Sequence, residues 1–172
     1  MVTPAVNKIH LAPFWDNQYT KLQFEREPFN DPQSVNLWVS QGYSERFSGV
    51  MCDMRKPQPT WNQRIIDIFH SKGWQDIGTS YYRMDTGVII PNHSDLYKTY
   101  VKIFNLNGQE HKIYRAILFL EDWHSGHYAE YDNEPFVNWR AGDCVIWNYN
   151  VTHMAANLGV RPRYTLQITG HI

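Results

Sequence analysis

From about residue 80 onward the chain breaks into short β-like runs, each closed by turn residues. No other feature constrains the fold as much. The runs are 79–84 (TSYYRM), 87–95 (GVIIPNHSD), 111–123 (HKIYRAILFLEDW), 126–132, 134–139, 143–149, 151–157 and 163–169. They are separated by Asp85-Thr86-Gly87, Ser125-Gly126, Asp132-Asn133, Ala141-Gly142-Asp143, Asn157-Leu158-Gly159 and Pro162, and Asn107-Gly108 reads as a hairpin signal before the third run. About eight strands at such spacing predict a β-sandwich or barrel.

The first 75 residues have a different texture. Residues 31–41 open with Asp31 at a capping position and Pro32 at the first helical position, which predicts a helix. Residues 60–72 place Trp61, Ile65, Ile68 and Phe69 near one face, with Thr60 as cap and Gly73 as stop, which predicts a second. Residues 47–54 and, more loosely, 19–27 read as strands. His10 reads as a loop residue. The predicted class is α+β: a jelly-roll barrel with N-terminal supporting helices. One domain over 1–172 is expected, with 1–80 as support and 81–172 as the barrel core.

Composition narrows the partners. Sixteen basic and seventeen acidic residues give a net charge of −1, so neither nucleic acid nor an anionic membrane is expected as a partner. No apolar run approaches the length of a membrane span. The N-terminus lacks a basic segment followed by an apolar stretch, and Cys52 and Cys144 lie far apart with no CxxC, so reduced thiols and a cytoplasmic location are expected. Seven Trp, eleven Tyr and eight Phe supply rings for a large core and for a pocket.

Three short motifs carry chemistry. His93 and Asp95 stand two apart on an extended run, so both side chains point the same way and can bind one metal. His153 sits on a later run that a barrel can bring alongside. Two imidazoles and one carboxylate leave one side of an octahedral metal open, which suits non-haem Fe(II) and O2. Arg163 opens the last run with Thr165 on the same face. A guanidinium fork beside a hydroxyl holds a carboxylate end-on, and a buried arginine needs such an anion. Arg161 competes for this role, but Pro162 marks the strand start and favours Arg163.

In that order, His-x-Asp, His and Arg-x-Thr on short strands resemble the Fe(II)- and 2-oxoglutarate-dependent dioxygenases, most closely their prolyl-hydroxylase-like branch. The resemblance covers about residues 81–170. It is carried by YYRMDTGVIIPNHSD, YRAILFLEDWHSGHYAEY, AGDCVIWNYN and HMAANLGVRPRYTLQITG. It implies a double-stranded β-helix, the cupin-like form of the jelly roll, with iron held by His93, Asp95 and His153, and 2-oxoglutarate gripped by Arg163 with Thr165 assisting. It implies hydroxylation of an aliphatic C–H on a small-molecule or peptide substrate, an amino-acid unit, using molecular oxygen and releasing succinate and carbon dioxide. One departure concerns a tyrosine that such hydroxylases often place near the cosubstrate. Phe119 stands there, Tyr114 points the other way, and Tyr82 or Tyr81 is expected to supply the hydroxyl. His124 and His127 read as turn or pocket-rim residues, Trp123, Trp139 and Trp147 as core, and Asn157 as a turn cap. Two other functions fit the same barrel: a cupin-like module that binds or senses a carboxylate, and a metal-dependent hydrolase or isomerase. Neither needs a second carboxylate clamp, so Arg163 is the discriminating residue.

Overall fold

The computed structural model describes residues 6–26, 28–29, 31–44 and 47–172. Among the described residues, ten strands fall into two antiparallel sheets, with three α-helices outside them. The strands are β1 (Val6–His10), β2 (Val50–Asp53), β3 (Gln75–Met84), β4 (Ile89–His93), β5 (Ile113–Phe119), β6 (His127–Tyr131), β7 (Glu134–Phe136), β8 (Asp143–Asn148), β9 (His153–Asn157) and β10 (Arg163–His171). The larger sheet runs β1-β8-β5-β10-β3-β2 and the smaller β4-β9-β6-β7. The helices are α1 (Pro32–Ser40), α2 (Asn62–His70) and α3 (Lys98–Phe104).

The alternation of β10 explains how the larger sheet is faced. Leu166 and Ile168 are fully buried and pack outward with Ile65 and Phe69 of α2, Cys52, Tyr81, Ala116, Leu118 and Cys144. Arg163, Thr165, Gln167 and Thr169, on the opposite face, line a cavity between the sheets. In a small barrel filled by its own side chains the inner face would be apolar. Here the polar face is turned inward, which marks an interior built to hold something. The outer core carries one polar anchor: Tyr81 donates to Asn62 Oδ1 at 2.6 Å, and Asn62 Nδ2 donates to Thr79 Oγ1 at 3.2 Å. Both partners are buried, so each polar atom replaces water with protein.

Both predicted helices form, as α1 and α2. Three expectations change. His10 ends β1, which pairs with β8 and is ordered by that partner rather than by its own pattern. Residues 19–26 make a 3-10 turn over 17–21 and a single bridge, Glu25 to Met51, instead of a strand; Glu27 lies outside the described residues. Asn107-Gly108 turns between α3 and a short 3-10 turn over 110–112, not between two strands. β3 crosses residue 81, and β1 and β2 pair into the larger sheet. Cys52 and Cys144 are free and buried. Among the described residues no helix is long and apolar enough to cross a membrane.

Candidate metal centre

β4 and β9 pair with His93 directly opposite His153, and Tyr131 of β6 lies opposite His153 on the other side. Directly opposed residues of an antiparallel pair share a face, so both imidazoles point into the cavity. Asp95, two residues past His93, turns its carboxylate between them. His93 Nε2 is 3.8 Å from Asp95 Oδ1, and His153 Nε2 is 3.6 Å from Asp95 Oδ2. One donor atom from each residue lies within 4.8 Å of the other two.

The tautomers follow from the backbone. His93 Nδ1 lies 2.8 Å from the Pro91 carbonyl oxygen, and His153 Nδ1 lies 3.2 Å from that of Val151. A carbonyl only accepts, so each Nδ1 carries the proton and donates it, which leaves both Nε2 lone pairs directed at Asp95. Burial pushes both imidazoles below their ordinary pKa, His153 to about 4, despite the opposing pull of Asp95. They are neutral near pH 7, the state in which an imidazole ligates metal. Aromatic rings fix their planes: Phe29 and Trp38 lie 5.1 and 5.8 Å from His93, and Trp147 lies 4.9 Å from His153, centroid to centroid. Trp38 belongs to α1, so the N-terminal helix braces the site.

Asp95 has a further partner that the sequence reading did not include. Arg115 of β5 donates from Nη1 to Asp95 Oδ2 at 2.6 Å, and its guanidinium lies 4.7 Å from the centre of the Tyr97 ring. Burial pushes the Asp95 carboxyl up, but Arg115 and the two imidazoles outweigh this and leave it below its ordinary value. The carboxylate therefore stays ionised, as a metal ligand must be. Arg115 shares an inward face with Ile117 and Phe119. A lone cation on an otherwise apolar strand face was the available signal.

Arg163 is buried in the wall of the same cavity, whose volume is about 780 Å³. Its Nη1 donates to the Tyr128 carbonyl oxygen at 2.8 Å, and its Nε is buried with no hydrogen-bond partner among the described residues. Burial lowers its pKa to about 10, with only a partial counter-effect from Tyr131. This is a buried cation answered by a neutral carbonyl, an arrangement that favours an incoming anion. Thr165 lies opposite Tyr82 on β3 and Phe119 on β5, so Tyr82 faces the cavity whereas Tyr81 faces α2. Tyr131, beside both His153 and Arg163, is a second cavity tyrosine that the sequence reading passed over. Arg161 is exposed. His127 is buried rather than at a rim, and its Nε2 lies 3.0 Å from the Arg161 carbonyl oxygen. Asn157 ties the turn: Nδ2 donates to the carbonyls of Met84 and Arg161, and Oδ1 accepts from Gly159 N–H.

Compared with protein-family models the chain matches none, and compared with curated proteins it matches none. Solved structures do match. A prolyl-4-hydroxylase from Pseudomonas putida aligns with TM-score 0.55 and 14% identity over 71% of each chain. The fold is a double-stranded β-helix. A cupin protein from Bacteroides fragilis aligns with TM-score 0.39 and 15% identity, over 59% of this chain and 72% of that one. A protein from Thermotoga maritima described as a predicted oxalate decarboxylase aligns with TM-score 0.41 and 10% identity, over 72% of this chain and 80% of that one.

Proposed function

We propose that the protein is an Fe(II)- and 2-oxoglutarate-dependent oxygenase that hydroxylates an aliphatic C–H of an amino-acid unit, with release of succinate and carbon dioxide. The observation that carries this reading is the pairing, in one cavity, of a two-histidine, one-carboxylate cluster with a buried arginine that has no acid beside it among the described residues. A triad alone suits several metals and several reactions. A triad facing an uncompensated guanidinium suits a cosubstrate with two anionic ends.

His93, Asp95 and His153 would hold Fe(II), which when bound supplies the oxygen chemistry that no side chain can. The chain's own contribution is placement and charge. Arg163 would take the far carboxylate through its fork, and Thr165 and Tyr82 would donate hydroxyls beside it. The small side chain of Ala155, on the cavity wall two residues past His153, leaves room for the cosubstrate chain. Two residues span about 7 Å along a strand, the length scale of a five-carbon dicarboxylate. Trp147 and Tyr131 give the cavity wall beside His153 an apolar lining, and water shed from it on loading would strengthen each charge interaction there.

The solved structure with TM-score 0.55 is named for prolyl hydroxylation, which is consistent with an amino-acid unit as substrate. The buried free thiols of Cys52 and Cys144 support a reducing compartment, which we take to be the cytoplasm. Anaerobic soaking of crystals with Fe(II) and 2-oxoglutarate tests the site. The expected density has iron on His93, Asp95 and His153 and a carboxylate on Arg163. Density for 2-oxoglutarate away from Arg163, or iron on other ligands, would overturn the reading. The cupin-like binding module would give similar density, and only turnover separates the two.

A further inference from the structure

The cavity is longer than the assigned site uses. Arg163 and Thr169 both face it from β10, about 20 Å apart along an extended strand. Beyond the metal triad lies a second lobe. Its floor is Gln167 and Thr169 of β10 with their β3 partners Ser80 and Gly78, and Tyr100 and Ile103 of α3 close it from above. Gly78 has an ordinary strand backbone, so its conformation does not require glycine. A Cβ built on it meets nothing within 4 Å. The missing side chain is floor space in the cavity, in the same row as Thr169 and Arg115.

The charges of the wall point to what fills this space. Among the described residues the wall contains Asp53 and Asp95 against Arg55, Lys98, Arg115 and Arg163. Asp53 and Arg55 neutralise each other, with Arg55 Nε 2.6 Å from Asp53 Oδ2. Lys98 is exposed, so solvent screens it, and it adds weakly to the effects that hold the Asp31 carboxyl low, of which the Ser34 hydroxyl is the largest. The two imidazoles count as neutral, because an imidazole ligates a metal only in that form. What remains is Asp95 with Arg115, and Arg163 alone. A divalent metal and a dianionic cosubstrate cancel each other, so the loaded cavity keeps one positive charge. Without Arg115 that sum would be zero. Arg115 has one bond to Asp95, a buried Nε without a partner, and the open row over Gly78 beside it.

From this we infer that the second lobe seats the substrate, and that the substrate is a small molecule carrying a free carboxylate bound on the Arg115 side. The inference rests on the oxygenase reading and sharpens it. A neutral residue inside a peptide leaves the positive charge unanswered in a low-dielectric cavity, whereas a free amino acid or similar small acid neutralises it.

Calorimetric titration of anaerobic, Mn(II)-loaded protein saturated with 2-oxoglutarate tests this. The probes are free amino acids and short hydroxy acids, each paired with its own carboxamide. At least one acid should bind about ten- to a hundredfold more tightly than its amide, the value of one charge-assisted hydrogen bond. Gly78→Val should weaken that acid about tenfold or more and leave 2-oxoglutarate affinity within about twofold, with Gly78→Ala intermediate. Amides that bind as well as acids, a panel with no binder, or a Gly78→Val variant that weakens 2-oxoglutarate equally would each overturn the inference. Succinate formation is measured separately. Its absence alongside clear acid-over-amide discrimination would sink the oxygenase reading and leave the anion-binding lobe standing.

Discussion

Replacing Arg163 with methionine should make the metal-free protein more stable while removing 2-oxoglutarate binding. The guanidinium is buried, one nitrogen bonds a neutral carbonyl, and another has no partner. Burial brings its pKa from 12.5 to about 10. At about 1.4 kcal/mol per tenfold change, holding the charge there costs the fold about 3 kcal/mol. Methionine fills similar volume without charge. It forfeits the bond to the Tyr128 carbonyl, worth about 1 to 2 kcal/mol. The net gain is about 1 to 2 kcal/mol, or roughly 2 to 8 °C in Tm for a chain of this size. Thermal melts of metal-free protein measure it, and adding metal with 2-oxoglutarate should then raise the Tm of the wild type only. A loss of more than about 1 kcal/mol in Arg163→Met would show that the arginine already has a counter-charge, and would refute the reasoning.

Arg115→Met should do the opposite, because it strands Asp95 as a buried, unpaired carboxylate: the metal-free protein should lose about 3 to 5 kcal/mol in urea melts, and chelator competition should show metal affinity reduced about tenfold to a hundredfold. Gly126 has φ +90°, and a Cβ there would stand 2.2 Å from Gly159 N, so Gly126→Ala should cost about 2 kcal/mol or more of unfolding free energy. Burial holds the Glu121 carboxyl above its ordinary value, offset in part by the Tyr19 hydroxyl, which donates to it at 3.1 Å. A raised acid favours the fold while protonated, so this contribution is full below pH 4.5 and is lost as pH rises through the folded-state pKa. Glu121→Gln should therefore gain stability relative to the wild type between pH 4 and 7, read as the difference of urea midpoints, and no change in that difference would refute the assignment.

The barrel strands are readable because their residues alternate at the strand period between clear turns; the run 143–149 becomes β8, one residue shorter, and the run 163–169 becomes β10, two residues longer. β1 was not readable, since VNKIH is ordered by β8 rather than by its own pattern. Nor was α3, which begins after Tyr97 and ends at Asn105, both left-handed, with no side-chain cap at its start. His93, Asp95 and His153 could be named from spacing and order, and the structure brings them together. Their supports could not. Arg115 reaches Asp95 only through the packing of β5 against the β4–α3 loop, and Trp38 reaches His93 from a helix more than fifty residues earlier. Tyr82 and Tyr81 differ only in which face of β3 turns inward, and that is decided by the β10 register.

The central claim meets its most direct test in a single turnover measurement. Purified protein is mixed in air with Fe(II) and 2-oxoglutarate, and succinate is followed by mass spectrometry against His153→Ala and an oxygen-free control. The account predicts succinate from the wild type in air and none above background in either control. No succinate from iron-loaded wild-type protein, or equal succinate from His153→Ala, would contradict it.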